Sequence, residues 1–285
     1  MGQIPPLHAF YPVVSSEFEL VRASGYTLKA CLYRPVGIGD VPGVVCVHGG
    51  AWVSGDRTAV SGFTDLIAQT GIAVLAVDTR LAPRFPFPAS VMDVIYAVRW
   101  LKEHAAEYGV DVTRTGTLGV SSGGHLAVLA TMRYDSPEYF IDSDDINRSV
   151  DAKTAFVATC SGVLDPLARY RMAQRRGDRD IMQCHDAFFR TVEVMDASSP
   201  PLMLARHEKA YLPPALFFQG ALDPRLPADT AEKTADAWCR AGGKAQAVIY
   251  PDAGHSVGTW SRDALMDMLT RFHALASSPG TFMFG

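Results

Sequence analysis

Six near-continuous apolar runs recur along this chain, at residues 44–47, 72–77, 117–120, 155–158, 215–218 and 247–250, with room for a helix between each pair. A strand wetted on one face alternates apolar and polar side chains, whereas an unbroken apolar run needs cover on both faces. Stretches of helical spacing fall between the runs. The clearest is 89–107, where Val91, Ile95, Val98 and Leu101 share one stripe while Lys102, Glu103 and Glu107 lie elsewhere. Others span 58–69, 123–133, 228–241 and 261–276. The alternation predicts an α/β fold over residues 1–285 as a single domain, with a mainly parallel central sheet and helices on both faces. Residues 17–22 and 27–33 alternate in the other manner around Ala23-Ser24-Gly25-Tyr26, which predicts an antiparallel hairpin at a sheet edge. Residues 163–212 break the rhythm. Long, charged and containing Met, this segment is expected to be a small cap-like insertion above the sheet.

Composition narrows the function classes. A hydrophobic fraction of 48% over 285 residues suffices for one sizeable core. The net charge of −4, with no Lys/Arg run longer than a pair, argues against a nucleic-acid surface. No apolar run approaches the roughly 18 residues of a membrane span, and Met1-Gly2-Gln3-Ile4-Pro5-Pro6 lacks the basic start of a leader. Cys31, Cys46, Cys160, Cys184 and Cys239 are odd in number and form no C-x-x-C pair. They are expected to be buried thiols in a reducing, cytoplasmic setting, with no metal or organic cofactor. The tail Thr281-Phe282-Met283-Phe284 either covers a partner in a homo-oligomer or folds back on its own core.

Gly119-Val120-Ser121-Ser122-Gly123 stands where a strand ends and a helix begins. A serine on so sharp a turn needs small neighbours, hence Gly119 and Gly123, and its hydroxyl is pushed out at the top of the sheet. Ser121 is the candidate nucleophile; Ser122 is the weaker rival, because Val120 occupies the place where it would need glycine. Acyl transfer by serine further requires a base, an acid that holds the base's tautomer, and donors for an oxyanion. Asp223 follows the run 215–218 at the carboxyl edge of the sheet, where ligands of open α/β sheets bind. An Asx-turn is its alternative role, and Asp229 and Asp252 are poorer candidates for the acid. His255 follows the last run, after Gly254. His125 is expected to pack or to bind backbone. After the first buried run, His48-Gly49-Gly50-Ala51-Trp52 offers the backbone N–H groups of Gly50 and Ala51, with that of Ser122, as an oxyanion hole. His48 and Gly49 support that loop, and Trp52 is either a pocket wall or core.

These residues resemble the α/β-hydrolase superfamily, and within it the esterase/lipase group with the His-Gly-Gly-x-Trp motif. That group includes acetyl-esterase-like carboxylesterases, hormone-sensitive-lipase-like enzymes and kynurenine formamidases. The resemblance runs over residues 41–255 and includes Asp78-Thr79-Arg80-Leu81-Ala82-Pro83 and Phe87-Pro88-Ala89. Thr79 and Arg84 depart from the Tyr and Glu common among relatives, and Ala51 stands where some place a third glycine. The resemblance implies an α/β-hydrolase fold and a serine hydrolase that cleaves a small carboxylic ester through an acyl-enzyme. The alternatives are an amide hydrolase of the arylformamidase type, a lactone-opening or acyl-transfer enzyme, and a non-catalytic ligand-binding module. In the insertion, Arg169, Arg171, Arg175 and Arg176 read as helix-surface charges balanced by Asp178, Asp180 and Asp186, in preference to a clamp for an acidic substrate.

Overall fold

The computed structural model describes residues 10–23, 26–141 and 149–284. The N-terminal hexapeptide and Ser24-Gly25 of the expected hairpin turn lie outside the described residues. In chain order the elements are β1 (Val13–Ala23), β2 (Tyr26–Pro35), β3 (Val41–Val47), α1 (Ser61–Gln69), β4 (Ala73–Val77), α2 (Ala89–Glu103), α3 (Ala105–Tyr108), β5 (Val110–Val120), α4 (Ser122–Met132) and β6 (Val157–Cys160). Then come α5 (Pro166–Arg176), α6 (Arg179–Phe189), α7 (Val192–Ala197), α8 (Pro200–Ala205), β7 (Ala215–Gly220), α9 (Thr230–Arg240), β8 (Ala245–Tyr250) and α10 (Arg262–Ser277).

Among the described residues the strands form one eight-stranded sheet in the order β1-β2-β4-β3-β5-β6-β7-β8. The β1–β2 hairpin is antiparallel and closes one edge, β2 meets β4 antiparallel, and every later pair is parallel. The central strands are apolar throughout because each face has its own core. Val45, Val47, Leu75 and Phe217 pack on the side of α2, α4 and α9, while Val44, Cys46, Val74, Leu216 and Phe218 pack on the side of α1 and α10. Burying each large side chain contributes about 1.5–3 kcal/mol, so this two-sided cover dominates the sheet's stability.

Two of the boundaries that differ from expectation have a clear local cause. The strand β5 begins at Val110, since Asp111, Thr113 and Arg114 form a polar, partly exposed start: the Asp111 carboxylate accepts from the Thr113 amide at 2.8 Å and from Arg114 Nε at 2.6 Å. The long helix expected over 89–107 is broken at His104. There the Trp100 carbonyl accepts from both the amide and Nδ1–H of His104, at 3.1 and 2.9 Å, and the imidazole stacks on the Trp100 ring. The thiols are free, and Cys31, Cys46 and Cys160 are buried; Cys239 is exposed, contrary to expectation. The tail folds back, with Phe282 buried on the α10 side and Met283 exposed.

Between β6 and β7 run α5, α6, α7 and α8. Side-chain caps set the starts of α5, α6 and α7: Asp165 accepts from the Ala168 amide (2.9 Å), Asp178 from Ile181 (3.1 Å) and Thr191 from Val194 (3.3 Å). Gly177, left-handed at φ 68°, turns the chain from α5 into α6. Phe188 and Phe189 of α6 pack against Trp52, and the Phe188 carbonyl accepts from the Phe87 amide at 2.9 Å. The segment is thereby anchored beside the loop that follows β3, at the carboxyl edge of the parallel strands.

Candidate active site

Ser121 links β5 to α4 with φ 53° and ψ −121°. An L-residue held there costs on the order of 1–3 kcal/mol, so its surroundings must impose the conformation. They do so by close packing: a Cβ on Gly119 would lie 2.2 Å from the Gly123 carbonyl oxygen, and one on Gly123 would lie 2.3 Å from that of Val47. The Ser121 amide donates to the Cys160 carbonyl (3.1 Å), and the Ser121 carbonyl accepts from Gly124 (2.9 Å) and Val163 (2.9 Å). The hydroxyl is left facing a cavity, with Oγ 2.9 Å from His255 Nε2. Ser122 behaves differently. It is buried, and its Oγ accepts the Trp52 amide at 3.3 Å, so its hydroxyl serves the loop after β3.

Asp223 and His255 sit on the loops after β7 and β8, which are tied together at the backbone. The Ala221 amide donates to Tyr250 (2.9 Å) and the Leu222 amide to Ala253 (3.0 Å), while Trp260 Nε1 donates to the Gly254 carbonyl at 2.9 Å. His255 Nδ1 lies 2.7 Å from Asp223 Oδ2, and the Asp223 side chain is only 1% exposed. A carboxylate only accepts, so Nδ1 carries the proton and Nε2 of the neutral ring is an acceptor for the Ser121 hydroxyl. The other carboxylate oxygen accepts the Arg225 amide at 2.7 Å. Asp223 therefore also makes the Asx-turn that was its alternative reading. Asp229 pairs instead with Lys233 at 2.7 Å, and Asp252 is exposed on the loop.

Gly50 (φ 121°), Ala51 (φ 52°) and Trp52 (φ 63°) form three successive left-handed residues after β3. A Cβ on Gly50 would lie 1.9 Å from the Ser54 carbonyl oxygen, and that carbon-free space is what lets the loop coil beside Ser121. Gly49, Gly50 and Ala51 line the same cavity as Ser121 and His255. The N–H of Ser122 opens α4 and so has no acceptor within the helix. His48 is buried; its Nδ1–H donates to the Gly49 carbonyl (2.6 Å) and its Nε2 accepts from the Thr79 hydroxyl (3.4 Å). Burial holds its pKa below the usual value, which keeps the ring neutral. Thr79, one of the departures from the pattern of relatives, thus braces His48. The neighbouring Arg80 clasps the buried Asp93 (Nε–Oδ1 2.8 Å) and lies over the Tyr26 ring at 4.5 Å.

Trp52 is core: 2% exposed, stacked on Phe188 at 5.2 Å, with the buried rings of His125 and His185 against its edges. His125 binds backbone, its Nε2 donating to the Ser198 carbonyl at 2.9 Å.

The cavity encloses about 1010 Å3, and two of its wall residues were not expected there, Arg169 and Arg225. The reading of Arg169 as a helix-surface charge is corrected: it is 2% exposed, whereas Arg171, Arg175 and Arg176 do face solvent. The missed signal is spacing. Arg169 shares one stripe of α5 with Pro166, Tyr170 and Ala173, all buried. Arg225 carries no comparable signal, since its position follows from the turn at Asp223. Among the described residues, no three His, Cys, Asp or Glu side chains converge as a metal site, and no helix is long and apolar enough to cross a membrane.

Comparison with known proteins agrees with this architecture. The BD-FAE family matches residues 32–237. Esterase LipC of Mycobacterium tuberculosis is 30% identical over 223 residues, covering 75% of this chain and 52% of LipC. The chain spans about half or less of the length of the curated relatives it matches. A thermophilic esterase from the Planctomycetes species Thermogutta terrifontis, solved with propionate bound, superposes with a TM-score of 0.69 at 25% identity, over 93% of this chain and 92% of that one. A hyperthermophilic esterase from the archaeon Pyrobaculum calidifontis shares the fold with a TM-score of 0.76 at 22% identity, over 94% and 87% of the two chains. The fold is that of the α/β-hydrolases.

Proposed function

This chain belongs to the BD-FAE family, and on that footing we propose that it is a serine hydrolase cleaving small carboxylic esters, with Ser121 as nucleophile. The observation that carries the reading is the line Ser121 Oγ–His255 Nε2–Asp223, at 2.9 and 2.7 Å. In this mechanism His255 Nε2 takes the hydroxyl proton as Oγ attacks the ester carbonyl. Asp223 holds the tautomer and stabilises the imidazolium. The amides of Gly50, Ala51 and Ser122 donate to the oxygen that gains charge. His255 returns the proton to the departing alcohol, leaving an acyl-enzyme, and then activates water to hydrolyse it.

The esterase names of the relatives support an ester over an amide substrate. The helices α5 to α8 act as a cap in this reading, since Arg169 of α5 and Cys184 of α6 stand in the cavity wall. The buried free thiols accord with a reducing, cytoplasmic setting.

The test is hydrolysis of p-nitrophenyl acetate by the wild type and by Ser121→Ala, with far-UV circular dichroism as a folding control. The variant is expected to lose roughly 10,000-fold or more in kcat. A fluorophosphonate should label the wild type at Ser121. An active Ser121→Ala, or an unlabelled wild type, overturns the reading.

A further inference from the structure

Two guanidinium groups share the wall of the Ser121 cavity. Arg169 reaches it from α5 with only 2% of its surface exposed, and Arg225 reaches it from the loop that carries Asp223. Arg169 Nε donates to the Arg225 carbonyl at 3.0 Å, but its buried Nη1 has no hydrogen-bond partner among the described residues. No carboxylate among those residues is ion-paired with either guanidinium. The carboxylates that attract Arg169 through space, Asp223 and Asp178, are hydrogen-bonded elsewhere: Asp223 to His255 and the Arg225 amide, and Asp178 to the Ile181 amide. A desolvated, unpaired N–H on a cation is costly, and a second cation beside it raises the cost. Burial and the charge of Arg225 together pull the Arg169 pKa down to about 10, so it stays charged at neutral pH and gains from an anion arriving beside it.

We propose that Arg169 and Arg225 form an anion subsite that binds a carboxylate on the substrate, so that the esters this protein prefers are half-esters of dicarboxylic acids. The inference rests on the ester-hydrolase reading and assigns its substrate class. A planar guanidinium matches a carboxylate through parallel N–H groups; the exposed guanidinium of Arg225 offers them at the cavity wall, and the charge of Arg169 in the same wall adds attraction. The cavity of about 1010 Å3 accommodates a short diacid with its ester carbonyl at Ser121. The cost of the buried cation is then offset whenever the correct substrate is bound, and an uncharged acyl chain leaves it unrelieved. Discrimination of this kind is strong because binding the wrong substrate leaves a polar group unsatisfied.

The experiment compares kcat/KM for mono-4-nitrophenyl glutarate and p-nitrophenyl butyrate, in the wild type, Arg225→Gln and Arg225→Glu. Arg225 is the position of choice because its side chain is exposed, and its backbone amide still holds Asp223 after substitution. The wild type is expected to favour the acidic ester by about tenfold or more, the size of one charge-assisted hydrogen bond. That ratio should fall toward unity in Arg225→Gln and invert in Arg225→Glu, chiefly through KM, and it should shrink with added salt in the wild type. A ratio near unity in the wild type, or one unchanged by Arg225→Glu, overturns the subsite while leaving the hydrolase reading intact. If neither ester is cleaved, the hydrolase reading fails and titration calorimetry with glutarate decides the subsite: binding lost in Arg225→Glu supports it, and absent or unaltered binding overturns it.

Discussion

Asp223 divides its carboxylate between two partners: Oδ2 accepts Nδ1–H of His255 at 2.7 Å, and Oδ1 accepts the Arg225 amide at 2.7 Å. One buried side chain thus orients the imidazole and shapes the loop that brings Arg225 to the cavity. Asp223→Asn can keep the turn through its amide oxygen but cannot stabilise an imidazolium, and it admits the wrong tautomer. The expected outcome is a loss of roughly 1,000- to 10,000-fold in kcat on p-nitrophenyl acetate with a melting temperature close to the wild type. Asp223→Ala should lose the turn as well and melt lower.

Ser122→Ala separates the two adjacent hydroxyls. Its backbone N–H remains, so activity should stay within a few-fold of the wild type. The Trp52 amide loses its acceptor at 3.3 Å, and stability should fall by about 1–3 kcal/mol in urea melts. Inactivation at unchanged stability would contradict this assignment.

Gly123→Ala places a methyl 2.3 Å from the Val47 carbonyl oxygen and 2.4 Å from that of His48. Both neighbours are backbone and cannot rotate aside, so β3 and α4 must separate. A destabilisation of about 3 kcal/mol or more is expected by chemical denaturation.

Acid should weaken the fold through its buried histidines. Burial pushes His125 down to about 4, and burial with the charge of Arg169 pushes His185 down to about 3. The unfolded chain protonates both near pH 6.5, so it binds more protons than the folded state below that pH. Stability present at pH 7.5 is lost as pH falls, on the order of 2 kcal/mol per histidine by pH 5. Asp93 opposes this, since burial raises its carboxyl to about 6 and the folded state takes that proton first. For these three groups together the loss between pH 7.5 and 5 is about 2–3 kcal/mol, and His48, also lowered by burial, acts in the same direction. His185→Leu should flatten the slope in urea melts across this range, and an unchanged slope would refute the assignment.

Local signals reach a definite distance in this protein. The runs at 44–47 and 215–218 announce a sheet covered on both faces, because a two-faced burial requirement is written into consecutive residues. The glycines at 119 and 123 announce the sharp turn at Ser121, since a close backbone approach excludes any side chain. The order Ser121, Asp223, His255 is likewise legible, as each follows an apolar run at the same edge of the sheet.

The chain by itself therefore determined its layers, its turn at Ser121 and the edge where chemistry-bearing residues collect. Only the tertiary structure decided which way side chains face once distant segments meet. Trp52 became core because α6 brought Phe188 and Phe189 onto it. Arg169 turned inward because the apolar stripe of α5 docks above the cavity, and Arg225 met it through a turn set by Asp223. Periodicity and backbone strain act over a few residues and can be read in sequence, whereas the burial of a lone charge depends on packing between elements far apart in the chain.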